Sequence, residues 1–183
     1  NKNLSFQGSI VLGNGFVLTR DEAIAMINAD SRNREVIFPY LIGKDVNSRP
    51  DQSPSRWVIN FFDWPIEKAQ EYELPFQRVK DQVLPDRIKK HGHGKNNMSV
   101  KYSTYWWLYG VSVPGLYKTI EGMDKVLVNA IGASKYLIFP QVSGNNVFSH
   151  ALGVLALSDT NSIIQLRSSF HNEWAWKYCS TMG

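Results

Sequence analysis

The sequence predicts an α+β fold, a single domain in which helices flank a mainly antiparallel, twisted sheet. Strand-like and helix-like segments are mixed along the chain, without the regular alternation that a parallel βαβ sheet requires. A chain of 183 residues, of which 43% are hydrophobic, is long enough for one compact core. The hydrophobic runs are short and stay below the roughly 20 apolar residues of a membrane helix, so we expect no membrane partner.

The first predicted elements are a hairpin and a helix. In Ser9–Leu18, two apolar runs flank Gly13-Asn14-Gly15, and this tripeptide tolerates the positive φ of a tight hairpin turn. Thr19 and Glu22 have the spacing of a capping box, and apolar residues continue at helical spacing up to Asn28. We therefore expect a β-hairpin followed directly by a short helix.

Strands, a loop and several helices are predicted next. β-Branched and aromatic content predicts strands, whereas Asn, Ser, Pro and Gly predict the loop between them. Ile66–Lys90 has helical periodicity that is interrupted at Pro75 and Pro85, so we expect two or three helices, the first capped by Asp63. The two strands are Val36–Phe38 and Trp57–Phe61, and the loop is Gly43–Ser55.

The C-terminal half predicts an antiparallel meander with a helix before and after it. Three strand-like runs are separated by short polar turns, which is typical of consecutive antiparallel strands. Segments of helical spacing precede and follow these runs. In chain order, the predicted elements are a helix over Pro114–Glu121, strands over Val126–Ile131, Tyr136–Pro140 and Val147–Leu157, and a helix over Asn161–Tyr178.

The motifs of common catalytic sites are missing from the sequence. There is no nucleophile elbow, phosphate-binding loop, zincin helix or dinucleotide fingerprint. The acidic-to-lysine spacing of metal-dependent nucleases and the Pro-Pro loop of DNA amino-methyltransferases are missing too. His91 and His93 have no evident third ligand, and Cys179 is the only cysteine. We therefore expect no catalytic residue, metal site or cofactor in this chain.

One segment of the chain is strongly asymmetric in charge. The net charge is +4, and no acidic residue lies between Asp86 and Glu121. Several Lys or Arg side chains on one surface neutralise phosphates, and the Gly- and Asn-rich stretch His91–Ser99 could follow a DNA groove. A solvated loop whose lysines only maintain solubility is an equally good interpretation. The basic residues of the segment are Arg87, Lys89, Lys90, Lys95, Lys101 and Lys118.

Two further groups of side chains also have two interpretations each. The aromatic cluster Tyr102–Tyr109 could stack on bases, but adjacent bulky rings favour packing in a core. The same core role is expected of Trp57, Trp64, Trp174 and Trp176. Polar residues near the predicted C-terminal turns could read base edges, since Lys binds guanine and Asn or Gln binds adenine. Turns are also polar for ordinary reasons.

Several motifs in a fixed order resemble one known family. The motifs are Ser5–Ser9 with Val11–Gly13, Phe38–Asp45, Arg49–Phe61, Phe62–Pro65, Trp106-Trp107, Leu116-Tyr117, Val147–Leu152, Ser168–His171 and Ser180–Met182. The segment Arg49–Phe61 is the most specific of them. Over essentially the whole chain, the order of these motifs is similar to the target recognition, or specificity, region of type IIG, MmeI-like restriction-modification proteins.

The resemblance implies a function in DNA recognition. It implies that residues 1–183 are a target recognition domain, a fragment of a larger cytoplasmic polypeptide with an adenine methyltransferase and, in some members, a nuclease. The domain would read double-stranded DNA and position the methyltransferase over one adenine. S-adenosylmethionine, and Mg²⁺ for a nuclease, would belong to that parent protein. The alternative is an interaction domain that docks the methyltransferase and nuclease domains and has little DNA affinity of its own.

The motifs do not fix which residues contact DNA, so the candidates rest on residue chemistry. A motif shared by proteins that read different sequences is expected to be structural, which applies to Arg56, Asp63, Trp64 and His150. The candidates for phosphate contacts are Arg49, Lys89, Lys90, Lys95 and Lys101. The candidates for base reading are Lys135, Gln141, Ser143, Asn145 and Asn146.

Overall fold

The computed structural model describes residues 4–91, 96–131 and 137–178. Within these residues the fold is α+β with antiparallel strand pairs, which confirms the predicted class. The chain divides into two compact units. We call them the terminal unit, with residues 4–8, Leu41–Pro54 and 113–178, and the central unit, with Ser9–Tyr40 and Ser55–Ser112. The strands form two sheets where the sequence predicted one.

The elements of the described residues are short. In chain order they are β1 (Ser5–Gln7), β2 (Val17–Leu18), α1 (Arg20–Ala29), β3 (Ile37–Leu41), α2 (Gly43–Ser48), β4 (Arg56–Ile59), α3 (Ile66–Gln70), α4 (Glu73–Gln82), α5 (Leu84–His91), α6 (Asn97–Thr104), α7 (Pro114–Ile120), β5 (Lys125–Ala130), β6 (Gln141–Ser143), β7 (Val147–Phe148), β8 (Leu152–Leu155), α8 (Thr160–Arg167) and α9 (Ser169–Tyr178). None of these helices is long and apolar enough to cross a membrane.

The terminal unit is built on an antiparallel sheet of order β1-β8-β5-β6. The inner strand β5 pairs with both neighbours, so that Val128 lies opposite Val154 and Val126 lies opposite Val142. One face of the sheet is covered by apolar side chains from the helices, because alternate residues of a strand point to the same face. The buried cluster is Leu41, Val46, Leu116, Ile120, Val126, Val128, Val142, Phe148, Leu152 and Val154.

The central unit is built on strands β2, β4 and β3, which lie in that order. Both pairs are antiparallel, and Val58 of β4 lies opposite Val17 on one side and Phe38 on the other. Helix α1 begins as predicted, because the Thr19 side chain accepts from the Glu22 backbone N–H and Glu22 accepts from the Thr19 backbone N–H. The largest fully buried side chains of this unit include Phe16, Leu18, Ile59, Phe61 and Val79.

The helices from Ile66 to His91 confirm the predicted interruption at the two prolines. Pro75 is the third residue of α4 and Pro85 is the second residue of α5. In the first turn of a helix, the missing N–H of proline costs no intrahelical hydrogen bond. Each proline therefore lies in the first turn of a new helix. The cap predicted at Asp63 is wrong, because the N-cap residue of α3 is Pro65, which has no side-chain acceptor.

The hairpin predicted over Ser9–Leu18 is wrong. Ile10 forms an isolated antiparallel bridge with Val111, and Val17 and Leu18 pair with β4 instead. Between them, Leu12 and Gly13 have positive φ angles of 51° and 146°, so the loop redirects the chain rather than folding it back on itself. Gly15 lies against Gln82 and Val83, where a Cβ would have no room. Packing against the end of α4 thus decides the path of this loop.

Three C-terminal boundaries also differ from the prediction. In the described part of Tyr136–Pro140, residues 137–140 form no strand, and β6 begins only at Gln141. The predicted strand Val147–Leu157 is divided into β7 and β8 by a turn, in which the Ala151 backbone N–H donates to the Ser149 hydroxyl. The predicted final helix is two helices, because Ser168 has an extended backbone and its hydroxyl accepts from the His171 N–H.

The loop predicted over Gly43–Ser55 contains a short helix. Helix α2 begins after Ile42, whose backbone N–H donates to the Asp45 carboxylate at 3.4 Å. This hydrogen bond satisfies a donor that the start of a helix otherwise leaves open. Polar composition alone indicated a loop and did not reveal this cap.

We expect Gly8→Ala to destabilise the terminal unit by about 2 kcal/mol, the usual cost of overpacking. A Cβ at Gly8 would overlap the backbone carbonyl groups of Phe148 and Ser149, which a side-chain rotation cannot relieve. The measurement is urea unfolding of the whole chain. The matched control is Gly115→Ala in α7, where the nearest heavy atom is 3.8 Å away, on Phe6. The control should be neutral or stabilising by up to about 1 kcal/mol, and equal unfolding midpoints for the two variants would contradict the packing argument.

Candidate nucleic-acid interface

Arg87 is a buried cation in the central unit. Its residue exposure is 3%, and its guanidinium donates only to backbone carbonyl oxygens among the described residues. Nε and Nη2 lie 3.3 and 2.9 Å from the Leu12 oxygen, and Nη1 lies 3.4 and 3.2 Å from those of Tyr102 and Tyr105. Nη2 also lies 3.5 Å from the Val11 oxygen. One side chain therefore connects α5 to the loop at Val11-Leu12 and to the end of α6.

The charge of Arg87 is not neutralised by a carboxylate in the described part of the chain. Burial lowers the pKa of Arg87 to about 10, which still leaves the guanidinium protonated at neutral pH. The rings of Phe16 and Tyr102 lie 5.6 and 5.8 Å from its Cζ atom and contribute a favourable cation–π interaction. The result is a fixed positive charge beneath the surface of this unit.

Further positive charge lies on the two helices around Arg87. We define the basic surface as Lys89 and Lys90 of α5 and Lys101 of α6, all three of which are exposed. Lys90 forms an ion pair with Asp86 at 2.8 Å, which offsets part of its charge. Lys89 and Lys101 form no ion pair within the described residues. The candidate Lys95 lies outside the described residues.

Two open recesses adjoin Arg87 in the central unit. The larger one, with a volume of 410 Å³, is lined by polar residues that include Asn14, Asp86, Lys90 and His91. The smaller one, with a volume of 250 Å³, has a different character, because aromatic rings form much of its wall. We call the smaller one the aromatic recess, and its lining is Phe62, Asp63, Arg87, Lys101, Tyr102, Tyr105, Leu108, Tyr109 and Ser112.

The aromatic cluster Tyr102–Tyr109 divides between core and surface. Trp106, Trp107 and Tyr109 are 9%, 8% and 5% exposed, which confirms the core interpretation for these rings. The polar atoms of two of these rings are satisfied, since Trp107 Nε1 donates to the Trp64 oxygen at 2.9 Å and the Tyr109 hydroxyl donates to the Ile59 oxygen at 2.8 Å. Tyr105 remains 49% exposed and lines the aromatic recess.

Three of the base-reading candidates lie together in the terminal unit. Gln141 and Ser143 are exposed on β6, while Val142 between them is buried in the core. Asn145 is exposed in the following turn, where its backbone N–H donates to the Ser143 hydroxyl at 3.3 Å. We call Gln141, Ser143 and Asn145 the polar surface. It is fixed by the strand at one end and by the turn at the other.

Two further base-reading candidates are not part of the polar surface. Asn146 is only 5% exposed, so little of its side chain is accessible to a base edge. Lys135 lies outside the described residues. The phosphate candidate Arg49 follows α2 in the same unit, and its guanidinium donates to the Ser53 hydroxyl at 2.8 and 3.1 Å. It also lies 3.6 Å from an oxygen of Asp51, so this charge is partly engaged locally.

The core role predicted for two C-terminal tryptophans is wrong. Trp174 and Trp176 of α9 are 56% and 44% exposed, and neither α8 nor α9 contains a buried residue. Phe170 and Tyr178 on the same helix are also exposed. Sequence reasoning missed this surface because a run of aromatic residues does not show whether another part of the fold covers it.

The described residues contain no group of three or more His, Cys, Asp or Glu side chains that could hold a metal ion. His91 instead packs its ring against Tyr102, with ring centroids 5.1 Å apart. His93 lies outside the described residues. Nothing in the described geometry therefore favours a metal site around His91.

Comparison with known proteins gives a match in fold. No protein-family model matches the sequence, and no curated protein matches it. In fold, the chain is similar to the type IIL restriction-modification enzyme MmeI, solved in complex with DNA, with a TM-score of 0.71 and 15% sequence identity. The match covers 98% of this chain and 22% of that one. This likeness shows a shared fold, and the chain spans about a fifth of that enzyme's length.

We expect Arg87→Met to destabilise the protein by about 3 kcal/mol, because it leaves several buried carbonyl oxygens without donors. Arg87→Lys should destabilise the protein less than Arg87→Met, because the ammonium group keeps the charge and can still donate to some of these oxygens. It should still be less stable than the wild type, since an ammonium group has fewer donors than a guanidinium. The measurement is again urea unfolding. Lys89→Met, at an exposed site on the same helix, is the matched control and should change stability by less than about 0.5 kcal/mol. Similar losses for Arg87→Met and the control would show that Arg87 does not hold these segments together.

Proposed function

We propose that this chain is the DNA-recognition module of a restriction-modification protein. In this proposal it reads a short sequence in double-stranded DNA and positions an S-adenosylmethionine-dependent adenine methyltransferase of the same polypeptide on that site. The observation that carries the proposal is the fold, which nearly all of this chain shares with part of an enzyme solved with DNA. The ordered motifs of the sequence independently resemble the specificity region of such proteins.

The basic surface supports the backbone part of this function. Phosphate contacts need exposed cations that are not already neutralised. Lys89 and Lys101 are exposed and form no ion pair within the described residues. The buried charge of Arg87 adds to the positive potential between the two helices that carry them. Such contacts orient a protein on the duplex but do not themselves read its sequence.

The polar surface supports the sequence-reading part. Gln141 and Asn145 are exposed amides, and an amide side chain can bind the N6 and N7 atoms of adenine together. Placing Gln141 on a strand whose next residue is buried limits its movement. Discrimination between bases depends on such fixed geometry, because a mobile donor can adjust to the wrong base.

The proposal assigns catalysis to other parts of the parent protein. The chain would have no enzymatic activity alone, and methyl transfer would take place in a partner domain that binds S-adenosylmethionine. Where the parent also cleaves DNA, Mg²⁺ would act in its nuclease domain. The parent would work in the cytoplasm, where its DNA substrate lies.

A second candidate function is favoured by the exposed aromatic residues of α9. Phe170 is 81% exposed and Trp174 is 56% exposed, and exposed apolar surface of this kind often marks a contact with another protein or domain. In this alternative the chain docks the methyltransferase and nuclease domains together and contributes little DNA affinity. The two functions differ in whether the chain alone retains DNA.

We expect simultaneous Lys89→Ala and Lys101→Ala to weaken binding to every duplex by a similar factor. The slope of log affinity against log salt concentration should fall in magnitude by about 2, since each lost phosphate contact accounts for about 0.9. Fluorescence anisotropy of labelled duplexes at several salt concentrations measures both effects. The control pair is Arg20→Ala with Lys80→Ala, which removes the same charge from exposed sites on α1 and α4. If the control pair lowered the slope equally, net charge rather than the basic surface would explain binding.

We expect the chain to enrich one short motif from a pool of random duplex DNA, and Gln141→Ala or Asn145→Ala to relax the preference at one position each. The loss of discrimination at that position should be about 1–3 kcal/mol. Sequencing of the retained DNA is the measurement, and Gln165→Ala, an exposed glutamine on α8, is the matched control.

The same selection separates the candidate functions. Retention of DNA without a preferred sequence would contradict base reading by the polar surface. It would still be consistent with phosphate binding by the basic surface. No retention at low or moderate salt would instead favour the docking function and α9 as the surface to test. Enrichment that Gln165→Ala disturbs as much as Gln141→Ala would also contradict the assignment of the polar surface.

A further inference from the structure

We infer that the aromatic recess of the central unit binds one unstacked cytosine or adenine base through its exocyclic amino group. This inference rests on the proposed function in that the base would belong to the DNA held by the basic surface. At 250 Å³ the recess is smaller than the roughly 300–1,000 Å³ of sites for drug-sized ligands, so it suits a single ring system. Every residue of its lining lies in the central unit.

The rings that line the recess are held in place before any ligand arrives. Phe62 has a left-handed backbone with φ of 56°, which is uncommon for a bulky residue and is found preferentially at functional sites. Its ring centroid lies 5.7 Å from that of Phe38 and 5.1 Å from that of Trp64. The Tyr105 ring lies 5.7 Å from that of Trp107. A base that stacks on such rings loses little of its affinity to ordering the protein.

The exposed position of Tyr105 is not explained by core packing. The neighbouring Trp106 and Trp107 are buried, whereas Tyr105 is 49% exposed at the wall of the recess. Arg87 fixes the backbone on this side, since it donates to the carbonyl oxygens of Tyr102 and Tyr105. Its donors are directed at these carbonyls, so Arg87 acts as a positioning residue and does not bind the base itself.

Two charged side chains indicate which base fits and how it is oriented. Asp63 is exposed and forms no ion pair within the described residues, and a carboxylate accepts from the amino group of cytosine or adenine. Thymine presents a carbonyl oxygen at the corresponding position, which a carboxylate repels. Lys101 lines the same recess and offers its ammonium group to the phosphate of the nucleotide. The recess should therefore prefer cytosine and adenine over thymine.

The test uses the whole chain and three mononucleotides, dCMP, dAMP and dTMP, titrated separately. Binding is measured from the backbone amide shifts of the aromatic recess in two-dimensional NMR spectra. We expect saturable shifts at Tyr102, Tyr105 and Leu108, and affinities for dCMP and dAMP about tenfold above that for dTMP. Tyr105→Ala should weaken dCMP binding about tenfold, because it removes the ring on which the base stacks. Tyr105→Phe keeps an aromatic ring and should therefore bind dCMP as the unchanged protein does.

Asp63→Asn tests the base preference separately from stacking. A carboxamide can both donate and accept, so this variant should bring the affinities for dCMP and dTMP within about twofold of each other. Tyr178→Ala, at an exposed tyrosine on α9 in the terminal unit, is the control and should leave all three affinities unchanged. Circular dichroism checks that each variant is folded. We expect all of them to fold, because Tyr105, Asp63 and Tyr178 are exposed.

Three outcomes would overturn the inference. These are the absence of saturable shifts, equal affinities for the three mononucleotides, or shifts that inorganic phosphate reproduces at the same residues. A duplex-binding measurement on the same sample separates this inference from the proposed function. Duplex binding without mononucleotide binding would contradict base binding by the recess and leave the proposed function standing. Base-selective mononucleotide binding without duplex binding would support base binding by the recess and contradict the proposed function.

Discussion

The buried guanidinium of Arg87 is the interaction on which the arrangement of the central unit depends. A charge taken out of water is costly unless its hydrogen bonds are satisfied, and here the backbone oxygens of Val11, Leu12, Tyr102 and Tyr105 accept from it. Carbonyl groups in irregular segments also need donors when they are buried. One side chain therefore satisfies several backbone groups that neither helix nor sheet could reach, and it fixes both segments relative to α5.

Charge is used in two ways within the central unit. Arg78 binds Glu22 at 2.7 Å, and the Thr19 backbone N–H together with Arg78 lowers the pKa of Glu22 to about 2, so this pair is structural and neutral overall. Arg87 has no such carboxylate within the described residues, and α5 and α6 add Lys89 and Lys101 around it. The first arrangement only stabilises the packing of α1 against its neighbours. The second arrangement stabilises the packing and also leaves a net positive field, which an anionic partner can use.

Local signals in the sequence were predictive, and signals that depend on distant residues were not. The capping box at Thr19 and the prolines of α4 and α5 act within one helical turn, so the sequence shows them directly. The loop at Gly13 looked like a hairpin turn because its distant contact with Val83 cannot be inferred from its own residues. The burial of Arg87 could not be inferred for the same reason, since its carbonyl acceptors lie between 15 and 76 positions away in the chain.

The structure shows where the candidate residues lie, which the sequence did not predict. Lysines in an acid-free segment and amides near the C-terminal turns indicated DNA contacts, but the fold places Gln141 on a strand and buries Asn146. A strand is the more useful support, because alternation fixes Gln141 and Ser143 on one face while Val142 anchors the strand in the core. Substitutions on that exposed face need not disturb the core. In the proposed function, the phosphate contacts and the base contacts would therefore lie on different residues, so that either set could change without the other.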